Sequence, residues 1–120
     1  MIYTKKIIEL YHKASLEPLF DQSDSVSEYH YGDEPSGLYI IFQIKVKHGA
    51  VSNCRYKVLG CGYAIALCVW LAERLDGKSK QDLSAIELSD LISRFDIPKT
   101  KHKVAIAILN LYEQILDSDA

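Results

Sequence analysis

Residues 55–75 read RYKVLGCGYAIALCVWLAERL, and the rest of the chain is expected to fold around this stretch. Apolar and charged side chains alternate over residues 55–59, which is typical of a half-buried strand. Apolar side chains then recur at helical spacing over residues 63–75. Between the strand and the helix lies a turn made of Gly60, Cys61 and Gly62. We expect the glycines to allow positive φ angles there, and the helix N-terminus to stabilise the Cys61 thiolate.

The elements before this stretch are predicted from the same periodicities. An amphipathic helix covers residues 3–15, and a surface connection rich in Asp and Ser follows over residues 16–27. His48 and Gly49 are expected to close a hairpin. In the central strand, the side chains of Ile41, Gln43, Lys45 and Lys47 are expected to point away from the buried face. The alternating pattern predicts three antiparallel strands, over residues 26–31, 38–47 and 51–59.

Everything after the hairpin is predicted to be helical. A short helix follows Ser79, an amphipathic segment covers residues 84–95 until Pro98 breaks it, and a last helix covers 101–117. Because the strands form one run and the helices mostly another, the predicted fold class is α+β. We expect a three-stranded antiparallel sheet with the N-terminal helix and the C-terminal helices packed on one face.

Composition limits the classes of function. A chain of 120 residues with 48% hydrophobic and 25% charged residues predicts a single domain over residues 1–120. The net charge of -2 gives no electrostatic reason to expect nucleic acid or an anionic membrane as a partner, and Lys99, Lys101 and Lys103 are interpreted as a solvated face. The N-terminal sequence lacks the apolar run of a signal peptide, and no segment reaches membrane-spanning length. We therefore expect a cytoplasmic protein.

The three cysteines are predicted to have different roles. Cys54 falls on the inward face of a strand and Cys68 on the buried stripe of a helix, so both are interpreted as small core residues. Their odd number without a secretory signal argues against a disulfide framework. The chain has no nucleophile with His and Asp at a recognisable spacing, no phosphate-binding glycine loop and no His-x-x-x-His pair. We therefore do not expect an enzyme.

Several motifs resemble one known family. The string RYKVLGCGYAIA over residues 55–66 is similar to the iron-sulfur cluster scaffolds known as IscU, SufU and the N-terminal domain of NifU. The resemblance extends over nearly the whole chain, through Tyr3, Lys6, Ile8 and Tyr11 in the first helix, QIKV over 43–46 and GKS over 77–79. It implies the fold of that family and a scaffold on which a cluster is built from iron and sulfide. The implied partner is a cysteine desulfurase, which supplies the sulfur.

The resemblance also implies a set of ligand positions, and most of them are changed. The family holds metal with three cysteines and an aspartate, and its IscU branch adds a histidine. Here the first cysteine is replaced by Ser36, the aspartate by Leu38 and the last cysteine by Lys103, whereas Cys61 and His102 match. A serine hydroxyl is a poor ligand, leucine has no donor, and an ammonium repels a cation. Two ligands make a stable site only if a second protomer or an outside thiol completes it.

Two functions are compatible with these residues. The chain is either a divergent iron-sulfur assembly protein, with Cys61 and His102 binding metal or cluster weakly or Cys61 accepting sulfur, or an interaction or regulatory module that has lost assembly. Cys61 is otherwise a turn residue, and His102 a solvated residue at a helix start. Lys103 is either a surface residue or a cation that lowers the pKa of Cys61. The family's chaperone-recognition stretch is represented by DIPKT over 96–100, which keeps one proline and makes delivery by that route doubtful.

Overall fold

The computed structural model describes residues 3–118. Its regular elements follow the order expected from the sequence. Two 3-10 turns, Lys80–Asp82 and Lys99–Lys101, lie between the later helices. The helices and strands are α1 Lys5–His12, β1 Val26–Asp33, β2 Leu38–Lys47, β3 Ala50–Leu59, α2 Gly62–Leu75, α3 Leu88–Phe95 and α4 His102–Asp117.

The three strands form one antiparallel sheet in the order β1-β2-β3. His48 and Gly49 join β2 to β3 with φ angles of 56° and 79°, the left-handed pair that a tight two-residue hairpin requires. Leu38 pairs with Asp33, and Tyr39 pairs with Leu59. This end of the sheet therefore carries both the β1–β2 turn and the start of the connection to α2.

The core lies on one face of the sheet. Side chains at alternate positions of β2 are buried there against α2 and α4, which confirms the predicted α+β arrangement with helices on one face. Cys68 of α2 is fully buried in this core, as predicted. In residues 3–118 no helix is long and apolar enough to cross a membrane. The residues of the sheet and the two long helices that meet there include Tyr29, Ile40, Phe42, Ile44, Leu67, Leu71, Ile108 and Leu111.

The connection between α1 and β1 crosses the other face of the sheet. Phe20 lies there with the cationic groups of Lys45 and Arg55 5.3 and 4.5 Å from its ring centroid. Gln43 accepts a hydrogen bond from the Phe20 N–H (2.7 Å) and donates to the Phe20 carbonyl (3.2 Å) and to Glu28 (2.8 Å). Gln43 was expected to face outward, and it does, but the connection covers it and leaves it only 2% exposed.

Three local predictions are wrong. Neither Gly60 nor Gly62 has a positive φ angle; those angles occur at Gly32, Gly37, Gly49 and Gly77 instead. The helix after residue 84 begins only at Leu88, because residues 83–87 are extended or irregular. It ends at Phe95 because Asp96 adopts a left-handed conformation with φ 48°, so Pro98 lies beyond a helix that has already stopped.

Candidate functional site

Cys61 lies in the turn between the end of β3 and the start of α2. It is the N-cap residue of α2, with φ -86° and ψ 177°, and its carbonyl accepts the N–H groups of Ala64 and Ile65 at 3.0 and 3.3 Å. Its side chain makes no capping hydrogen bond and is half-buried. The thiol therefore lies at the start of α2 without a hydrogen bond to the N–H groups of the first helical turn.

The two glycines beside Cys61 are explained by close packing. A Cβ atom on Gly60 would lie 3.1 Å from Leu38 Cδ1 and 3.2 Å from Ala64 Cβ. A Cβ atom on Gly62 would lie 3.2 Å from the hydroxyl oxygen of Tyr3. Any larger residue would push these groups apart, so the glycines let α1, β2 and α2 converge on Cys61.

Ser36 and Leu38 are occupied by structural roles. In the β1–β2 turn, the Ser36 N–H donates to Asp33 Oδ1 at 2.9 Å and the Ser36 hydroxyl donates to the Asp33 carbonyl at 3.0 Å. Leu38 is buried and packs beside Gly60. The packing thus brings Leu38 next to the Cys61 turn, but its side chain is apolar at the position where the resemblance implies a carboxylate.

His102 lies at the first residue of α4. Its Nε2 is 3.0 Å from the carbonyl oxygen of Ile97, and because a carbonyl can only accept, Nε2 carries the proton. Nδ1 is then the basic nitrogen, the one that can accept a proton or bind a metal. Lys103 is exposed.

The donor set does not fit a metal or a cluster held by this chain alone. Within residues 3–118, no group of three or more His, Cys, Asp or Glu residues is arranged to hold a metal ion. A tetrahedral site needs four ligands, or three with one open position. Cys61 and His102 are the remaining candidates from the predicted set, and they are too few.

The three thiols differ in their environments. Desolvation raises the pKa of Cys54 to about 12, with a smaller contribution from the charge of Asp76. Desolvation also raises the pKa of Cys68, which has no exposed surface. Both remain protonated near neutral pH, as expected for the structural residues that the sequence predicted.

An apolar cavity adjoins the Cys61 turn, and sequence reasoning missed it. It has a volume of about 380 Å³ and is lined mainly by α1 and by the residues on both sides of Cys61. Two of the residues that line it, Ile8 and Tyr11, are 43% and 46% exposed. We call these two residues and the cavity the apolar patch. The signal was present in α1, where Ile7 and Leu10 already fill the buried face and Ile8 and Tyr11 are left over.

The sequence matches a known family over most of its length. The family described as NifU-like N terminal domain matches residues 2–115. The iron-sulfur cluster assembly scaffold protein IscU of Escherichia coli strain K12 is 32% identical over 103 residues, which cover 84% of this chain and 80% of that protein. IscU of Haemophilus influenzae is 31% identical over 103 residues, which cover 84% of this chain and 82% of that protein.

The fold agrees with this match. The crystal structure of a nitrogen-fixing NifU-like protein (N-terminal) from Brucella abortus superimposes with a TM-score of 0.62 at 16% identity, covering 98% of this chain and 95% of that one. At that identity the likeness concerns the fold alone, and the sequence match supplies the relationship. The chain belongs to the NifU-like N-terminal domain family.

Proposed function

We propose that this protein acts in iron-sulfur cluster assembly as a divergent scaffold that presents one thiol, Cys61, to a partner. The observation that carries the proposal is the placement of Cys61: it is the N-cap of α2 without a capping bond, is half-buried, and lies between two glycines that line the cavity of the apolar patch. Relatives at 32% and 31% identity are named iron-sulfur cluster assembly scaffold proteins. The role proposed is presentation of a group to other proteins and involves no catalytic turnover.

The proposal assigns sulfur acceptance to Cys61. A cysteine desulfurase carries sulfur as a persulfide, and a thiolate attacks the outer sulfur of such a group. The sulfur–sulfur bond of the donor breaks, a new one forms on Cys61 Sγ, and the donor cysteine leaves as a thiolate, so electrons and atoms balance.

Binding of iron or a cluster, in this proposal, needs ligands from another molecule. Ser36 is committed to its turn and Leu38 has no donor atom, so the chain offers Cys61 and, through Nδ1, His102. A second copy of the chain or a partner thiol would supply the rest. Lys103 places a positive charge one residue after His102, which favours an anionic persulfide over a bare cation.

The apolar patch is the proposed docking surface for the sulfur donor. A partner would bury Ile8 and Tyr11 next to the Cys61 turn, and the cavity beside them offers room for an apolar side chain of the partner. An Ile8→Lys variant should weaken binding of a cysteine desulfurase in a calorimetric titration. Ile106→Lys is the matched control, because Ile106 is 46% exposed but lies on α4.

The function is tested by anaerobic reconstitution with iron, sulfide and a cysteine desulfurase, followed by absorption spectroscopy. The native chain and Cys61→Ser are compared, with Cys54→Ser as the control. A charge-transfer band that is lost only in Cys61→Ser supports assembly at Cys61. A protein that binds desulfurase but never iron or sulfur would favour the second function, an interaction or regulatory module, for which the apolar patch is the supporting observation.

A further inference from the structure

A small cationic cavity lies between α2 and α3 and is not used by the function proposed above. Its volume is about 120 Å³, and two arginines, Arg74 and Arg94, reach it from the two helices. We infer that this cavity is a binding site for a tetrahedral oxyanion, namely a phosphate group. The other lining residues are Trp70, Ala85, Ile86, Asp90 and Leu91.

Arg74 contacts two aromatic rings and, among residues 3–118, has no acidic partner. Its guanidinium carbon lies 5.8 Å from the ring centroid of Trp70 and 5.4 Å from that of Tyr112. Tyr112 is itself fixed, because its hydroxyl donates a 2.6 Å hydrogen bond to the Ser84 carbonyl. Cation–π contacts of this kind orient a guanidinium and leave its edge free to bind an anion.

The hydrogen-bonding capacity of Arg74 is not satisfied. Its Nε is buried and has no hydrogen-bond partner among the described residues. A buried donor without a partner is unfavourable, and arginine offers five donors in a planar fork that matches carboxylate and phosphate oxygens. The orphaned donor therefore points to an external acceptor.

The charge balance of the cavity favours an anion. Arg74 and Arg94 contribute two positive charges and Asp90 one negative charge, so the lining carries a net charge of about +1. Within residues 3–118, no carboxylate lies within 4.0 Å of either guanidinium. Asp90 is exposed and can turn toward solvent when an anion enters.

The size of the cavity limits the ligand. A volume of about 120 Å³ holds several water molecules, and so one phosphate group, but leaves no room for a nucleoside. The phosphate is either free or the terminal group of a larger molecule whose remainder stays in solvent. Because the cavity lies between α2 and α3, a bound phosphate would also stabilise the packing of these two helices.

Tryptophan fluorescence tests the inference directly, since Trp70 is the one tryptophan of the chain and lines the cavity. The native protein is titrated with inorganic phosphate at constant ionic strength, with chloride in place of phosphate as the blank. A saturable change in emission with a dissociation constant on the order of 1 mM or lower is expected. A second titration uses a phosphate monoester such as ribose 5-phosphate. Tighter binding of inorganic phosphate indicates that the ligand is free phosphate, and tighter binding of the monoester indicates a phosphorylated ligand.

Two variants and a control make the test specific. Arg94→Gln, on an exposed residue, should weaken phosphate binding about tenfold, the loss expected for one charge-assisted hydrogen bond. Arg74→Lys should also weaken it, because an ammonium cannot replace the planar fork. Lys80→Gln removes an exposed cation that does not line the cavity and should leave the affinity unchanged. The inference is overturned if phosphate produces no saturable change, if chloride produces the same change, or if Arg94→Gln binds like the native protein.

Discussion

At the scale of single residues, the contrast between Cys61 and the other two cysteines has a direct chemical consequence. Cys61 is half-buried with a free side chain, whereas burial raises the pKa of Cys54 from 9.0 to about 12. That shift lowers the thiolate fraction of Cys54 about a thousandfold. We predict that iodoacetamide modifies Cys61 first in the native protein near pH 8, with Cys54 and Cys68 protected, as measured by peptide mass mapping.

The control for this prediction is the unfolded protein, in which all three thiols should react at similar rates. Modification of Cys54 before Cys61 in the native protein would mean that the turn before α2 shields its thiol. In that case Cys61 could not accept sulfur from a partner.

Gln43 is a second residue whose contacts lead to a prediction, in this case about the stability of the fold. It fixes both backbone groups of Phe20, so Gln43→Met would keep the volume but leave a carbonyl and an N–H without partners. We predict a loss of about 1–3 kcal/mol in the free energy of unfolding, measured by urea denaturation. Gln114→Met, at a hydrogen-bonded but more exposed glutamine, should cost about 0.5 kcal/mol or less. Equal losses in the two variants would show that the hydrogen bonds between Gln43 and the connection add nothing to the free energy of unfolding.

At the scale of elements, β1 and β2 share a polar network on the outer face of the sheet. A hydrogen bond from His30 at 2.7 Å, followed by one from Gln43, lowers the pKa of Glu28 below its usual 4.5. Because the folded-state pKa is lowered, this network stabilises the fold fully above about pH 4.5 and loses its contribution as the pH falls below it.

We therefore predict that stability falls less steeply between about pH 5 and pH 3 in Glu28→Gln than in the native protein. The measurement is urea denaturation at each pH. Glu113→Gln, which removes an exposed carboxylate of α4, is the control and should keep the native slope. Parallel curves for Glu28→Gln and the native protein would contradict the assignment.

The turn between β1 and β2 allows a test of the missing ligands. Leu38 packs beside Gly60, so a carboxylate at position 38 would lie near the Cys61 turn, and position 36 is where the resemblance implies a further thiol. We predict that Ser36→Cys combined with Leu38→Asp retains zinc through gel filtration, while the native chain does not, as measured by elemental analysis. Adding Cys61→Ser to the double variant should abolish the retained zinc. Retention by the native chain itself would contradict the view that its own ligands are too few.

The sequence allowed the elements to be predicted more fully than the site. Periodicity located the strands, the hairpin at His48 and Gly49, and the long helices α2 and α4, because these depend on local patterns. The end of α3 at Phe95 was predicted, but its start at Leu88 was missed, and so was its stop signal, a left-handed Asp96 that no pattern of hydrophobicity marks. The burial of Gln43 arises from contacts between segments distant in sequence, so a reading of one chain segment at a time could not reveal it. The surplus apolar residues of α1 were a local sign of the apolar patch, but the cavity beside them depends on such distant contacts as well.

At the scale of the whole molecule, α1, the start of α2 and the end of the sheet converge on Cys61 and leave an apolar surface beside it. The family relationship places this turn in a scaffold fold, while Ser36 and Leu38 remove two of the expected ligands. The proposed presentation of Cys61 to a partner rests on this arrangement of the turn and the apolar surface.

The most direct test of this account is mass spectrometry of the protein after incubation with a bacterial cysteine desulfurase and cysteine under anaerobic conditions. The account predicts that the peptide containing Cys61 gains the mass of one sulfur atom, that Cys61→Ser gains none, and that Cys54→Ser behaves like the native protein. A native protein that gains no sulfur at Cys61, or gains it equally in the Cys61→Ser variant, would contradict the account.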